Sequence, residues 1–149
     1  MAVNYGHVYV ARIAIGADMN HTIKVFREAE AYQGPSLIIA YCPCVGHGYD
    51  LKKGSKQQKS AVLSGYWPLM RYHPGLKKQG KNPFQLDSKS PSIPLEEYIY
   101  EENRYRILTY SHPDVAKKFY KKAQRELSDR WQIYEKWAGS DSSKNEEEK

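Results

Sequence analysis

Ser36-Leu37-Ile38-Ile39-Ala40-Tyr41-Cys42-Pro43-Cys44-Val45-Gly46-His47-Gly48 decides how the rest of this chain is read. Its first half is an uncharged, apolar, β-favouring run. Its second half breaks into a loop that holds both cysteines, a proline and two glycines. Continuous apolar runs of this kind mark buried strands of open α/β sheets, whose ligands gather in the loops beyond the strands' carboxyl ends. A loop carrying thiols at that place is a candidate site on chemistry alone. The plainer alternative is that Cys42 and Cys44 are small buried residues, the usual state of a free cysteine.

Working upstream, Gly6–Ile15 is another apolar, β-branched run and suits an inner strand of a parallel sheet. Gly16–Asn20 is a turn, and either Asp18 or Asn20 can cap the helix that follows. Ile23, Phe26 and Ala29 share one face of that helix. Gly34-Pro35 stops it, because glycine suits the position past a helix end and proline cannot continue one. The two strands and their helix make a βαβ unit.

Downstream, Ser55 and Gln58 have capping-box spacing and predict a helix through about Leu63, ended by Gly65-Tyr66-Trp67-Pro68. Leu69–Tyr72 reads as a short strand. Residues 75–94 are rich in Gly, Pro, Ser and Lys and read as an irregular excursion over the surface, with Asn82–Asp87 its one ordered stretch. Leu95–Leu108 reads as helix, although Tyr98, Tyr100 and Tyr105 leave a strand open. The clearest helix spans about Asp114–Trp137, where Ala116, Phe119 or Tyr120, Ala123, Leu127, Trp131 and Tyr134 recur at intervals of three and four. That stripe reads as a packing face. The run Ser140–Lys149 has no apolar residue and is expected to be disordered.

Length and composition set the bounds. The chain has 149 residues, 40% of them hydrophobic, with two cysteines and a net charge of +6, and its mean hydropathy is −0.78. That allows one domain with a modest core. No apolar run nears the roughly 20 residues of a membrane span, and the first residues lack a signal peptide's pattern. Two cysteines one residue apart cannot form a disulfide framework, so a cytoplasmic location is expected. From Gly139 onward two lysines face four acids, a net of −2, which leaves +8 on residues 1–138. The lysines cluster at Lys52, Lys53, Lys56 and Lys59, at Lys77, Lys78 and Lys81, and along Lys117–Lys122. Such patches attract anionic partners when they are more than a solvated face. No zinc-finger spacing, RNP-type motif or arginine-rich arm accompanies them, so no nucleic acid is expected as a partner.

The catalytic inventory is short. There is no Gly-x-Ser-x-Gly elbow, Walker loop, His-Glu-x-x-His pair or Gly-x-Gly-x-x-Gly. Among the histidines only His47 lies near a thiol, a pairing that can activate a nucleophile. Cys-Pro-Cys is too short for a Cys-x-x-Cys redox motif, and two thiols with one histidine are too few for a closed zinc site.

Five segments carry a resemblance: Tyr5–Ala11, Phe26–Glu30, Gly34–Tyr41, Ser64–Leu69 and Gly80–Ser88. Through them the stretch Tyr5–Ala138 resembles the C-terminal end of the pyruvate:ferredoxin (flavodoxin) oxidoreductases, large enzymes that oxidatively decarboxylate pyruvate with CoA to acetyl-CoA. The resemblance implies a partial thiamine-diphosphate-binding fold, α/β with a parallel βαβ core, then an irregular excursion and a long C-terminal helix. It implies boundaries at 1–74 for the second half of the thiamine pyrophosphate-binding domain, 75–138 for a C-terminal arm and 139–149 for a disordered tail.

It also implies that Cys44 is one ligand of a 4Fe–4S cluster, in a loop shaped by Gly46 and Gly48. Cys42 departs from the family pattern, where a small residue is usual, and reads as a bystander. The Gly-Asp-Gly segment that holds magnesium and the cofactor's diphosphate does not occur here, nor do the other cluster ligands. The expectation is therefore a piece of a larger polypeptide, Met1 matching an internal methionine, inactive and free of cofactor by itself. Implied partners are the remainder of that polypeptide, ferredoxin or flavodoxin, and a second copy in a homodimer. Two other classes stay open: a noncatalytic module that binds an acidic partner through Lys52–Lys59, and a thiol redox sensor using Cys42 and Cys44. Removal of neighbouring strands would leave bare sheet edges and an apolar face, so self-association of the isolated chain is expected.

Overall fold

The computed structural model describes residues 2–139; the tail expectation at 140–149 lies outside them. A short 3-10 turn, Ala2–Tyr5, precedes strand β1, Tyr9–Ile13. Helix α1, Met19–Ala31, crosses to β2, Ser36–Ala40, which pairs with β1 in parallel with Tyr9 opposite Ser36 and Ile13 opposite Ala40. This is the expected βαβ unit. Asp18 caps α1, its side chain accepting the His21 N–H at 2.8 Å.

Helix α2 spans Gly54–Leu63, and β3, Met70–Tyr72, returns antiparallel to β1. The excursion holds an element the sequence did not mark as a strand: β4, Phe84–Leu86, pairs antiparallel with β3. The sheet is therefore mixed, in the order β2-β1-β3-β4, with β1 in the interior. Three helices follow, α3 at Leu95–Ile99, α4 at Asn103–Ser111 and α5 at Pro113–Gly139. The break between α4 and α5 falls at His112, at φ −146° and ψ 72°, because the residue before a proline is pushed out of the helical region.

The two faces of the sheet have separate cores. Tyr9, Ala11 and Ile13 pack on Val25 of α1. Val10, Tyr72 and Phe84 form the other face, with Tyr134 of α5 against them. Arg12 also points to that side and lays its guanidinium 3.9 Å from the centre of the Trp67 ring, and burial lowers its pKa. A third cluster joins Ala61 of α2, Leu95, Tyr98 and Ile99 of α3, and Leu127 of α5. The α5 stripe is the packing face expected, with Ala116, Leu127 and Trp131 buried; Tyr120 is partly buried and Phe119 is exposed.

Three local readings are corrected. Ser55 does not cap α2; Gln58 instead accepts the Gly16 N–H at 2.8 Å, tying α2 to the turn after β1. The inward face of α1 is His21, Thr22 and Val25, while Ile23 and Phe26 are exposed. Glu28 must face inward to meet Arg71, and that rotates Ile23 and Phe26 outward. Finally, β2 has the composition of a buried strand but lies at the sheet edge, with Leu37 42% and Ile39 39% exposed.

Met19, Ile23 and Phe26 thus form an exposed apolar stripe on α1, and among the described residues β2 leaves one strand edge unpaired. Such surface promotes association. The chain is expected to sediment as dimers or larger species, and the pair Ile23→Lys and Phe26→Lys to shift it toward monomer. A wild-type chain that sediments as a monomer would overturn this.

Candidate functional site: the cysteine loop and its buried carboxylate

The loop leaves the carboxyl end of β2, and the Tyr41 N–H bonds the Ile13 carbonyl at the end of β1. Both cysteines are free and exposed. Cys44 begins a 3-10 turn, Val45–His47, accepting the His47 N–H on its carbonyl at 2.9 Å. A Cβ on Gly46 would lie 3.4 Å from the Cys44 Sγ, so glycine keeps that flank of the sulfur clear. Gly48 closes the turn at φ +72°, and a Cβ there would also meet the Asn103 Cβ at 2.7 Å. At Gly48 both the backbone conformation and the close approach require glycine. Every loop residue singled out from the sequence, Cys42, Cys44, Gly46, His47 and Gly48, is therefore in the one loop that leaves the carboxyl end of β2, the last four of them in its 3-10 turn.

A buried carboxylate reaches the loop from the segment between α3 and α4, and no local sequence signal announced it. Glu102 is fully buried. One carboxylate oxygen accepts from Arg104 Nε at 2.6 Å and lies 3.7 Å from His47 Nδ1. The other accepts from Gln57 Nε2 at 3.1 Å and faces the Tyr98 hydroxyl at 3.5 Å. Arg104 Nη1 also donates to His47 Nε2 at 3.1 Å. A guanidinium can only donate, so that ring nitrogen accepts and Nδ1 carries the proton facing Glu102. The Tyr41 and Tyr98 hydroxyls are 2.6 Å apart. Burial pushes the Tyr98 phenol up strongly, reinforced by its hydrogen bond to Tyr41. Beside the loop is a polar cleft of about 660 Å³, lined by Val45, Gly48, Asp50, Lys53 and Arg106 among others.

Among the described residues no group of three or more His, Cys, Asp or Glu side chains is arranged to hold a metal. The donor set suits one thiolate corner of an iron–sulfur cluster and does not suit a whole one, which needs four ligands.

A separate charged cluster lies on the α1 face of the sheet. Arg71 donates to both Asp87 oxygens, at 2.8 and 2.7 Å, and to both Glu28 oxygens, at 2.7 and 2.8 Å. The Tyr9 hydroxyl donates to Glu28 and His21 Nε2 lies 3.0 Å from Asp87. Burial alone would raise the Asp87 pKa, but hydrogen bonds from Arg71 and His21, with their charges, outweigh it and hold the carboxyl low. A depressed folded-state pKa gives stability that is present above the unfolded carboxyl value, about 4, and lost as pH falls from there toward the folded value. Asp87→Asn should flatten this acid limb in urea titrations between about pH 2 and 5. An unchanged limb would mean that Asp87 is not among the carboxylates protonated on acid unfolding.

No protein-family model matches the chain. Curated proteins do. It is 56% identical over 135 residues to the pyruvate-flavodoxin oxidoreductase of Trichormus variabilis, a match covering 91% of this chain and 11% of that protein. It is 45% identical over 141 residues to a probable pyruvate-flavodoxin oxidoreductase of Escherichia coli, covering 95% of the chain and 12% of the relative. The pyruvate:ferredoxin oxidoreductase of Moorella thermoacetica is 44% identical over 138 residues, 93% of the chain and 12% of the relative. An α/β sheet with a parallel β1-β2 pair and these likenesses define a segment of an oxidoreductase. Over that segment the chain belongs to the pyruvate:ferredoxin (flavodoxin) oxidoreductase family, and it spans about 11–12% of the length of these relatives. No helix among the described residues is long and apolar enough to cross a membrane.

Proposed function

We propose that the chain is the C-terminal segment of a pyruvate:ferredoxin oxidoreductase, and that Cys44 supplies one thiolate to a 4Fe–4S cluster of the assembled enzyme. That enzyme oxidatively decarboxylates pyruvate with CoA to acetyl-CoA and CO2, delivering electrons to ferredoxin or flavodoxin. Identity of 44–56% across more than nine-tenths of the chain carries the reading. The loop's place at the carboxyl end of a parallel strand pair, with both thiols exposed, supports this loop as the site, and the choice of Cys44 over Cys42 follows the family resemblance. A cluster held there would supply one-electron transfer, and the residues around Cys44 would tune its potential through hydrogen bonding and exposure at the sulfur.

In this reading the thiamine pyrophosphate, its magnesium and the other cluster ligands are held by the remainder of the polypeptide, and the isolated chain is inactive. The uncovered α1 stripe and the β2 edge then pack against that remainder. The exposed lysines at Lys52, Lys53 and Lys56 face the acidic electron acceptor or a neighbouring domain.

The test is a chimera in which this chain replaces the matching segment of the Trichormus variabilis enzyme. It should reduce flavodoxin in a pyruvate- and CoA-dependent way. Cys44→Ser should lose the iron of one cluster, whereas Cys42→Ser should retain it. Full iron content in Cys44→Ser would refute the ligand assignment.

A further inference from the structure

The loop that carries Cys44 is held at three points by residues from one distant segment. Tyr41, where the loop begins, meets Tyr98 through their hydroxyls at 2.6 Å. His47, in its second half, lies between Glu102 and Arg104, at 3.7 and 3.1 Å. Gly48, where it ends, accepts the Asn103 N–H on its carbonyl at 3.1 Å. Among the described residues the thiols make no comparable contact; Cys42 Sγ reaches its neighbouring Pro43 carbonyl, at 3.8 Å.

We infer that Glu102 is a positioning residue for Cys44: its buried carboxylate, gathering Arg104, Gln57, Tyr98 and His47, fixes the loop from below and so sets where the exposed thiol sits. This rests on the reading of Cys44 as a cluster ligand. The physical argument is one of cost. A fully buried carboxylate is tolerated only when it is paired and its oxygens are satisfied. Both oxygens of Glu102 have such partners, and those partners come from α2, from the segment after α3 and from the cysteine loop. A core that needed only packing would have no use for this group. A loop that must present one sulfur at a defined place gains from it, because small displacements of a ligand are costly at a site built from several segments.

The experiment uses the same chimeric enzyme with Glu102→Ala, Glu102→Gln and Arg104→Ala. Deuterium uptake is followed in peptides covering 42–50 and, as an internal control, 9–13. Glu102→Ala should speed exchange in 42–50 by about tenfold, because it removes the His47 contact and frees Arg104 and Tyr98, through which the loop is held, with 9–13 unchanged. Glu102→Gln, which keeps an acceptor for Arg104, should fall between it and the wild type. At matched iron content the electron paramagnetic resonance spectrum of the reduced cluster should shift in Glu102→Ala, a change that a purely structural role far from the thiol would not cause. Arg104→Ala alters a half-exposed side chain and carries the same test if Glu102→Ala does not fold.

Wild-type exchange in 42–50 for both Glu102→Ala and Arg104→Ala, or for Arg104→Ala alone if the other does not fold, would overturn the inference. An unshifted spectrum beside faster exchange would also overturn it, leaving Glu102 a structural residue. Iron retained in Cys44→Ser would instead overturn the ligand reading, so the two failures are distinguishable.

Discussion

Arg71→Met should lower the unfolding free energy by about 3–5 kcal/mol, the usual consequence of leaving buried charges without their partner. The Arg71 side chain is only 7% exposed, and it is the common partner of Glu28 and Asp87. Burial by itself would lower the guanidinium's pKa; hydrogen bonds to the two carboxylates reverse this and raise it. Methionine fills similar space without charge, so the loss measures the stranded carboxylates and not a cavity. Adding Glu28→Gln and Asp87→Asn to Arg71→Met should recover part of the loss, since neutral amides are cheaper to bury than unpaired carboxylates. Urea unfolding followed by tryptophan fluorescence reads both. A cost under about 1 kcal/mol, the range of exposed ion pairs, would mean that water screens the cluster.

Tyr98→Ala should be of similar size, about 3–5 kcal/mol, because it removes a large, fully buried aromatic from the cluster that joins α2, α3 and α5. Its ring lies 4.7 Å from that of Tyr66, centre to centre, and its hydroxyl links Tyr41 to Glu102. Tyr98→Phe separates the two roles. It keeps the packing and should cost only about 0.5–1.5 kcal/mol, the net worth of a hydrogen bond. If Tyr98→Phe cost as much as Tyr98→Ala, the hydroxyl network and not the packing would be the main support of this cluster.

What could be read from sequence was whatever is encoded within a few residues. A cap at Asp18 or Asn20, the Gly34-Pro35 stop, the βαβ unit and the period of α5 are local, since each depends on backbone conformation or on spacing along one element; the structure chose Asp18. The candidate thiol loop was legible for the same reason: an apolar run, then Cys, Pro and Gly within a dozen positions.

Tertiary structure alone decided the rest. Which face of α1 turns inward was set by Arg71, 43 residues away from its partner Glu28. Gln58 has the spacing of a cap residue, yet its amide is taken by Gly16, 42 residues distant. Nothing near Phe84–Leu86 marks it as a sheet strand; it becomes one because β3 presents an open edge. The buried carboxylate under the cysteine loop is the strongest case. Glu102 meets Gln57 across 45 residues, and only the folded chain, by excluding water from that place, makes a glutamate there a structural centre instead of a surface charge.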